Sequence, residues 1–270
     1  MISTQEVASM LNVAETTVKR WSDEGTVPCV RTPGGHRKFH LKDIVQFAET
    51  NGYTITGGEP PPMTKNQQER LAVGVHTKNY ESIAEVFKEE ALQADQKGLL
   101  ELLLYLHKHQ ISFPTMADNV ISPAFKKIGI LWEQRRLEIS QEHVASHTLA
   151  QALARMTSEI HKKEFNGMTA VCACPEGELH ENGLRCVANT LEVEGFKVHF
   201  IGANTPFDTL MAFVKATKVD LVCLSLSELP KQSAFLPAIK KLKTLVNSHG
   251  GNLVLGGHFV ETKSTQPPVS

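Results

Sequence analysis

The pattern of apolar and polar positions changes three times along the chain and predicts four regions. Two short helical patterns separated by a turn open the sequence. Residues 54–77 lose this periodicity, and the run 57–62 contains three prolines, which fix the backbone and remove hydrogen-bond donors. Helical spacing then returns, before short apolar runs begin to alternate with helical patterns. We predict a small domain over 1–53, a linker over 54–77, a four-helix bundle over 78–165 and an α/β domain over 166–270.

The last region carries the pattern of a parallel sheet. Apolar runs rich in β-forming residues predict strands over 168–174, 197–202, 219–225 and 252–255, with helical patterns between them. This alternation is typical of a sheet with helices on its faces, a Rossmann-like (flavodoxin-like) fold. Such sheets bind ligands at the carboxyl ends of their strands. The residues directly after each predicted strand are therefore the candidates for a site.

Composition narrows the classes of protein without naming one. The 270 residues carry 28 lysines and arginines against 29 acids, a formal net charge of −1. This balance excludes a uniformly basic nucleic-acid coat but is compatible with a local basic patch. No apolar run is long enough for a membrane span, so we expect no membrane partner. The five cysteines form no Cys-x-x-Cys pair, and we interpret them as buried hydrophobic residues of a cytoplasmic protein.

The first 53 residues predict a helix-turn-helix. Thr4 can cap a first helix, a turn follows at Asn12-Val13, and a second helix begins near Ala14 with Val18 and Trp21 facing inward. Polar side chains on the outer positions of the second helix can reach bases or phosphates. These candidate DNA contacts are Thr16, Thr17, Lys19 and Arg20.

A basic hairpin follows the helix-turn-helix. The segment Thr32-Pro33-Gly34-Gly35 predicts a tight turn, because glycine accepts positive φ. The candidate DNA contacts around it are Arg31, His36, Arg37 and Lys38. A small interaction domain with a solvated charged turn is the alternative. The whole segment resembles the winged helix of the MerR superfamily in its shorter, excisionase-like form, and this resemblance implies double-stranded promoter DNA as the partner.

A second cluster lies after the first predicted strand of the α/β region. The segment from Pro175 to Gly183 contains Glu178-x-His180-x-x-Gly183, where a parallel sheet binds ligands. A lone histidine at such a turn is more often an ordinary polar loop residue. Here small residues also follow the third and fourth predicted strands. They are Ser225, Ser227, Gly256 and Gly257.

This spacing resembles the cobalamin-binding domain of methionine synthase and its relatives. The resemblance implies that His180 is the lower axial ligand of cobalt and that Glu178 orients its imidazole. It implies that Gly183 allows close approach of the cofactor. It also implies a slot for the nucleotide tail lined by Ser225, Ser227, Gly256 and Gly257. The implied cofactor is cobalamin, with adenosylcobalamin expected and methylcobalamin as the alternative.

The helical region adds a third cluster. Trp132 is followed after nine residues by Glu142-His143, which matches the Trp-x9-Glu-His signature of the CarH/LitR cobalamin photoreceptors. The resemblance implies that this bundle caps the upper face of the cofactor. A core tryptophan beside an ordinary helix start is the alternative. The chain departs from these families in two places. In the photoreceptor group a histidine follows the tryptophan, and here that position is Glu133. In the α/β region, residues 258–270 replace a longer C-terminal portion, so we expect a truncated domain.

Together these features predict a regulator and not an enzyme, so no catalytic residue is assigned. Cobalamin would control assembly into a dimer or tetramer, and assembly would control promoter binding, with repression as the expected outcome and light as a candidate signal. Two alternatives stay open. The chain could be a corrinoid methyl carrier or mutase-type subunit, or a regulator whose degenerate pocket binds another ligand or none.

Overall fold

The computed structural model describes residues 1–53, 60–226 and 232–257. The chain divides into two compact units, Met1–Thr148 and Leu149–Ser270, and the division falls inside the helix Ile139–Glu159. Over the described ranges, no helix has both the length and the apolar character that a membrane crossing requires.

The amino-terminal domain is a helix-turn-helix with a β-hairpin. Its elements are β1 (Ile2–Ser3), α1 (Thr4–Met10), α2 (Glu15–Asp23), β2 (Val30–Arg31), β3 (Arg37–Phe39) and α3 (Leu41–Asn51). Both β1 and β2 pair antiparallel with β3. Val18 and Trp21 are buried as expected, and Trp21 packs on Phe47 with ring centroids 4.7 Å apart. The winged helix-turn-helix is confirmed.

The predicted cap of α1 is wrong by one residue. The cap is Ser3, whose Oγ accepts the Glu6 N–H at 3.3 Å while the Ser3 N–H donates to Glu6 Oε2 at 2.6 Å. Thr4 is instead the first residue of the helix. The capping box decides the matter, because only Ser3 has an acidic residue three positions later that can return the hydrogen bond.

The helical region begins earlier than predicted. Its elements are α4 (Lys65–Thr77), α5 (Tyr80–Leu92), α6 (Gln96–Lys108), α7 (Phe113–Met116), α8 (Ser122–Glu133) and α9 (Ile139–Glu159). The linker prediction over 54–77 is therefore wrong for its second half. Thr64 and Gln67 form a capping box that starts α4 directly after the prolines. Leu71 of α4 is buried, and Ala72 belongs to the core of the amino-terminal domain.

Helices α7 and α8 are joined by the π-helical turn Ala117–Ile121. Pro123 stands in the first turn of α8 and has no N–H to donate. Its ring would also crowd the carbonyl four residues earlier in a regular helix. The wider π turn relieves that contact and keeps the chain helical across the proline.

The second unit contains the predicted α/β fold. Its elements are β4 (Thr169–Pro175), α10 (Asn182–Val193), β5 (Lys197–Thr205), α11 (Phe207–Thr217), β6 (Leu221–Ser225), α12 (Gln232–Ser248) and β7 (Asn252–Gly256). In the described part of the chain these strands form one sheet in the order β5-β4-β6-β7, parallel throughout. The order reverses between β4 and β6, which in such folds is where ligands bind.

Alternate residues of the central strands face opposite helix layers. Val171, Val222 and Leu224 belong to one buried cluster with residues of α11 and α12. Cys172 and Cys223 belong to another with residues of α10. Four of the five cysteines, all of them free thiols, are buried. Burial raises the pKa of the Cys174 thiol to about 12, which keeps it protonated and unreactive.

Candidate functional site

The turn of the β-hairpin is fixed by glycine and threonine. Gly35 adopts φ +79° and its N–H donates to the Thr32 carbonyl at 2.8 Å. The His36 N–H donates to Thr32 Oγ1 at 3.2 Å. Only the second of the two adjacent glycines needs positive φ, since Gly34 stays in the ordinary region. The hairpin is therefore a rigid projection next to α2.

Two arginines join the β-hairpin of β2 and β3, which we call the wing, to the end of α2. Arg37 Nη2 lies 2.6 Å from Asp23 Oδ1, and Arg31 Nη2 lies 3.0 Å from the same oxygen. The Arg37 hydrogen bond is the chief reason that the pKa of the Asp23 carboxyl is lowered. The Arg37 side chain is only 17% exposed, against 56% for Arg31. Arg37 thus holds the wing against the end of α2, whereas the Arg31 side chain remains accessible to solvent.

The basic residues predicted from sequence do not all meet. Lys19, His36, Arg37 and Lys38 line one surface cleft between the start of α1, helix α2 and the hairpin. The other four predicted contacts, Thr16, Thr17, Arg20 and Arg31, do not line that cleft. Of these four, only Thr17 is not exposed, being half-buried.

The loop between β4 and α10 presents a histidine held by a buried carboxylate. Glu178 is only 2% exposed, and its Oε1 lies 2.9 Å from His180 Nδ1 and accepts the His180 backbone N–H at 2.8 Å. The His180 side chain is 78% exposed. With Nδ1 donating to the carboxylate, the imidazole lone pair is on Nε2, the usual arrangement of a metal-binding histidine.

A neighbouring strand supports this loop. The Gly177 N–H donates to Asn204 Oδ1 at 2.9 Å, and the Asn204 N–H donates to the Glu178 carbonyl at 3.0 Å. On the other side of the histidine, Glu181 Oε2 accepts the Ala203 N–H at 3.1 Å. Ala203 and Asn204 belong to the segment from Gly202 to Pro206, which resembles the loop after the second strand of the cobalamin-binding domain, but the sequence does not indicate these hydrogen bonds.

Small residues at the other strand ends differ in what surrounds them. Ser225 is buried at the end of β6, directly paired with Gly256 of β7. A Cβ on Gly257, which has φ +95°, would overlap the backbone of Leu226. A Cβ on Gly256 or on Gly183 would meet no atom of the described residues within 4 Å. Gly257 is therefore needed by the fold itself, whereas no described residue obstructs the Cβ positions of the other two glycines.

Two of the predictions concern residues that the structure does not describe. Ser227 and the segment 258–270 fall outside the described residues. Their proposed roles stay predictions.

The tryptophan cluster lies in the first unit. Trp132, in the last turn of α8, is 44% exposed, so it is not the core aromatic of the alternative interpretation. Glu142 Oε2 lies 2.6 Å from His143 Nδ1, and Glu142 Oε1 accepts the Ser146 hydroxyl at 2.6 Å. The Glu142 carboxylate therefore orients the His143 ring, whose side chain is 70% exposed.

Three parts of the chain match known protein families. Residues 1–52 match a helix-turn-helix domain, and residues 83–157 and 168–266 each match a B12 binding domain. Two repressors of Myxococcus xanthus align with most of the chain. "HTH-type transcriptional repressor CarA" is 22% identical over 81% of this chain and 74% of its own length. "HTH-type transcriptional repressor CarH" is 26% identical over 81% of this chain and 76% of its own length. The chain is a helix-turn-helix protein of the CarH type, with two B12-binding domains.

A solved structure shares the fold of this CarH-type protein. The monomethylamine corrinoid protein of Methanosarcina barkeri covers 70% of the chain and 86% of its own, with a TM-score of 0.50 and 20% sequence identity. At that identity the likeness shows the fold alone.

Proposed function

We propose that this CarH-type protein is a transcriptional repressor whose DNA binding is controlled by adenosylcobalamin. The observation that carries the proposal is the exposed His180 imidazole, held through Nδ1 by the buried Glu178 at the carboxyl ends of a parallel sheet. The same chain carries a winged helix-turn-helix, which a carrier of chemical groups would not need.

The residues present fit a corrinoid. Within the described ranges no three His, Cys, Asp or Glu side chains form a group that could hold a bare metal ion. A single exposed imidazole instead suits a metal that brings its other ligands with it, as corrinoid cobalt does. No described atom lies within 4 Å of a Cβ placed on Gly183 or Gly256, which is compatible with a ring system and its tail lying against the backbone there. When bound, adenosylcobalamin would supply a cobalt–carbon bond that a signal can break.

Each side chain then has a defined task. His180 would hold the cobalt from below and Glu178 would fix the tautomer and direction of the imidazole. Trp132, Glu142 and His143 would cover the upper face. The residues proposed to receive the ring edge and the nucleotide tail are Gly183, Ser225, Ser227, Gly256 and Gly257.

On the DNA side, Lys19, His36 and Lys38 are the proposed phosphate contacts within the cleft. Thr16, Thr17, Arg20 and Arg31 would contact the duplex beside the cleft, and Arg37 would support the wing. A single domain of this size binds weakly, so assembly into a dimer or tetramer would raise affinity by bringing several wings to one promoter. The cofactor can control this only if it binds one assembly state more tightly than another.

Light is proposed as one signal that removes the adenosyl group. Because Glu133 stands where the photoreceptor group has a histidine, the lit state cannot be trapped by a second imidazole at that position. His143 is the alternative imidazole on that side. We therefore expect that removal of the adenosyl group would act by taking away the atoms that pack against Trp132, and not by forming a new ligand bond at position 133.

The deciding experiment is size-exclusion chromatography with absorbance spectra, in the dark and after illumination, with and without adenosylcobalamin. The same samples are tested for binding to the promoter fragment. We expect a red protein whose His180→Ala variant loses the cofactor. His249→Ala is the matched control, since His249 is exposed in the turn between α12 and β7. A colourless protein that still binds its promoter would refute the cofactor, and an unchanged assembly state after illumination would refute light as the signal.

A corrinoid carrier is the second candidate, favoured by the shared fold with the monomethylamine corrinoid protein. The two functions differ in what happens to the promoter. A carrier would bind cobalamin with no sequence-specific DNA affinity, and replacing Lys19 and Lys38 with alanine would change nothing that it does.

A further inference from the structure

The loop that presents the histidine is held in place by one residue of another strand. Asn204, near the end of β5, accepts the Gly177 N–H through Oδ1 at 2.9 Å and donates its own N–H to the Glu178 carbonyl at 3.0 Å. Both hydrogen bonds reach the loop just before the histidine. They fix the backbone on which the Glu178 carboxylate depends.

The backbone of Asn204 is unusual in a way that serves these contacts. Its φ is +53°, a left-handed conformation that asparagine tolerates better than other residues with a Cβ. Gly177, its partner, has φ +87°. Both residues of this hydrogen bond therefore have left-handed backbone conformations, which most residues with a Cβ disfavour. At position 204 an asparagine can adopt that conformation and also supplies the acceptor oxygen.

A second contact closes the loop on the other side of the histidine. Glu181 Oε2 accepts the Ala203 N–H at 3.1 Å, and Glu181 Oε1 accepts from Arg185 Nη2 at 2.9 Å. Arg185 in turn lies over the Phe200 ring at 4.0 Å. The loop is thus attached to β5 at both ends, with His180 between the two attachments.

We propose that Asn204 is a positioning residue for the cobalt ligand. It holds the loop so that His180, with Nδ1 on Glu178, would present Nε2 to the cobalt in place of the cofactor's own benzimidazole base. This inference rests on the proposed cobalamin function. It goes beyond it by placing control of the axial ligand in β5, outside the histidine motif.

The test uses the full-length protein with three variants. Asn204→Gly keeps the left-handed backbone and removes the acceptor, whereas Asn204→Asp keeps an acceptor of the same size. Asn166→Gly is the matched control, because Asn166 accepts the Met168 N–H at 2.9 Å at the opposite end of β4. Circular dichroism and urea unfolding establish that each variant is folded.

Two readouts separate positioning from general support of the pocket. The first is the dissociation constant for hydroxocobalamin. The second is the electron paramagnetic resonance spectrum of cob(II)alamin bound to protein that carries ¹⁵N-histidine. A ¹⁵N axial ligand splits each cobalt line in two, whereas the ¹⁴N of the cofactor's own base splits it in three.

We expect Asn204→Gly to bind about five- to tenfold more weakly, the loss of roughly one hydrogen bond, and to show a share of the three-line pattern. Asn204→Asp and Asn166→Gly should keep the two-line pattern. An Asn204→Gly protein that keeps a pure two-line pattern, whether or not its affinity falls, would overturn the positioning role. A three-line pattern in the wild type would instead refute His180 as the ligand, which is a failure of the proposed function itself.

Discussion

A half-buried histidine makes the first unit sensitive to acid. His76 lies in the last turn of α4, with its ring centroid 6.1 Å from that of His109, and the Nε2 atoms of both are buried without a hydrogen-bond partner among the described residues. Burial, and next the nearby His109, lower the pKa of His76 from 6.5 to about 4, against the opposing charge of Glu6. The folded protein therefore holds His76 neutral where the unfolded chain protonates it.

The sign and size of the effect follow from these two pKa values. Above pH 6.5 neither state is protonated and stability is unaffected. Below pH 6.5 the unfolded chain binds a proton that the folded one does not, so stability is lost as the pH falls toward about 4. Each pKa unit is worth about 1.4 kcal/mol. Allowing for the partial exposure of the ring, we expect a loss of about 2 kcal/mol between pH 7 and 4.5.

Urea unfolding followed by tryptophan fluorescence measures this loss in the correct unit, since Trp21 and Trp132 are the two tryptophans of the chain and both precede residue 149. His76→Gln removes the titrating group, so its stability should fall with pH by about 2 kcal/mol less than that of the wild type. His36→Gln, at an exposed hairpin position, should follow the wild type. Equal pH dependence in wild type and His76→Gln would refute the reasoning.

Four further substitutions test the two sites. Asp23→Asn removes the charge that pairs with the wing arginines, so non-specific DNA binding should tighten and its salt dependence should steepen by roughly one phosphate contact in a filter-binding titration. Gly257→Ala should cost at least about 1–2 kcal/mol in the unfolding free energy of the second unit, measured by circular dichroism, whereas Gly256→Ala should fold normally and bind cobalamin more weakly. Glu178→Gln should weaken cobalamin retention by about 10–100-fold while the protein stays folded, which a spectral titration measures.

The sheet was predictable because its signals are local. Strands β4 and β6 are buried on both faces, so each shows as an unbroken apolar run, and each predicted run matches an observed strand within a few residues. The amino-terminal helices were predictable for a similar reason, since Val18 and Trp21 follow the spacing of one helix face.

The errors arose where one local signal outweighed another. The prolines at 60–62 extended the predicted linker past Thr64, although the Thr64–Gln67 capping box marks a helix start as clearly as the prolines mark a break. The sequence groups Arg37 with the other basic residues of the wing, but it does not show that Arg37 is paired with Asp23. Its ion pair with Asp23 joins residues 14 positions apart and becomes visible only once the hairpin is folded.

The support of the histidine loop could not be predicted because it depends on strand register. From Cys172 to Pro175, β4 advances three residues, while the paired β5 advances five, from Phe200 to Thr205. These irregularities insert extra residues into β5 next to the site, and Asn204 takes its left-handed conformation there. A motif such as Glu-x-His-x-x-Gly describes only the segment that carries the ligand, and it contains no information on the neighbouring strand. Two chains with the same motif can therefore differ in how firmly the imidazole is held, and that difference lies in the register of the neighbouring strand.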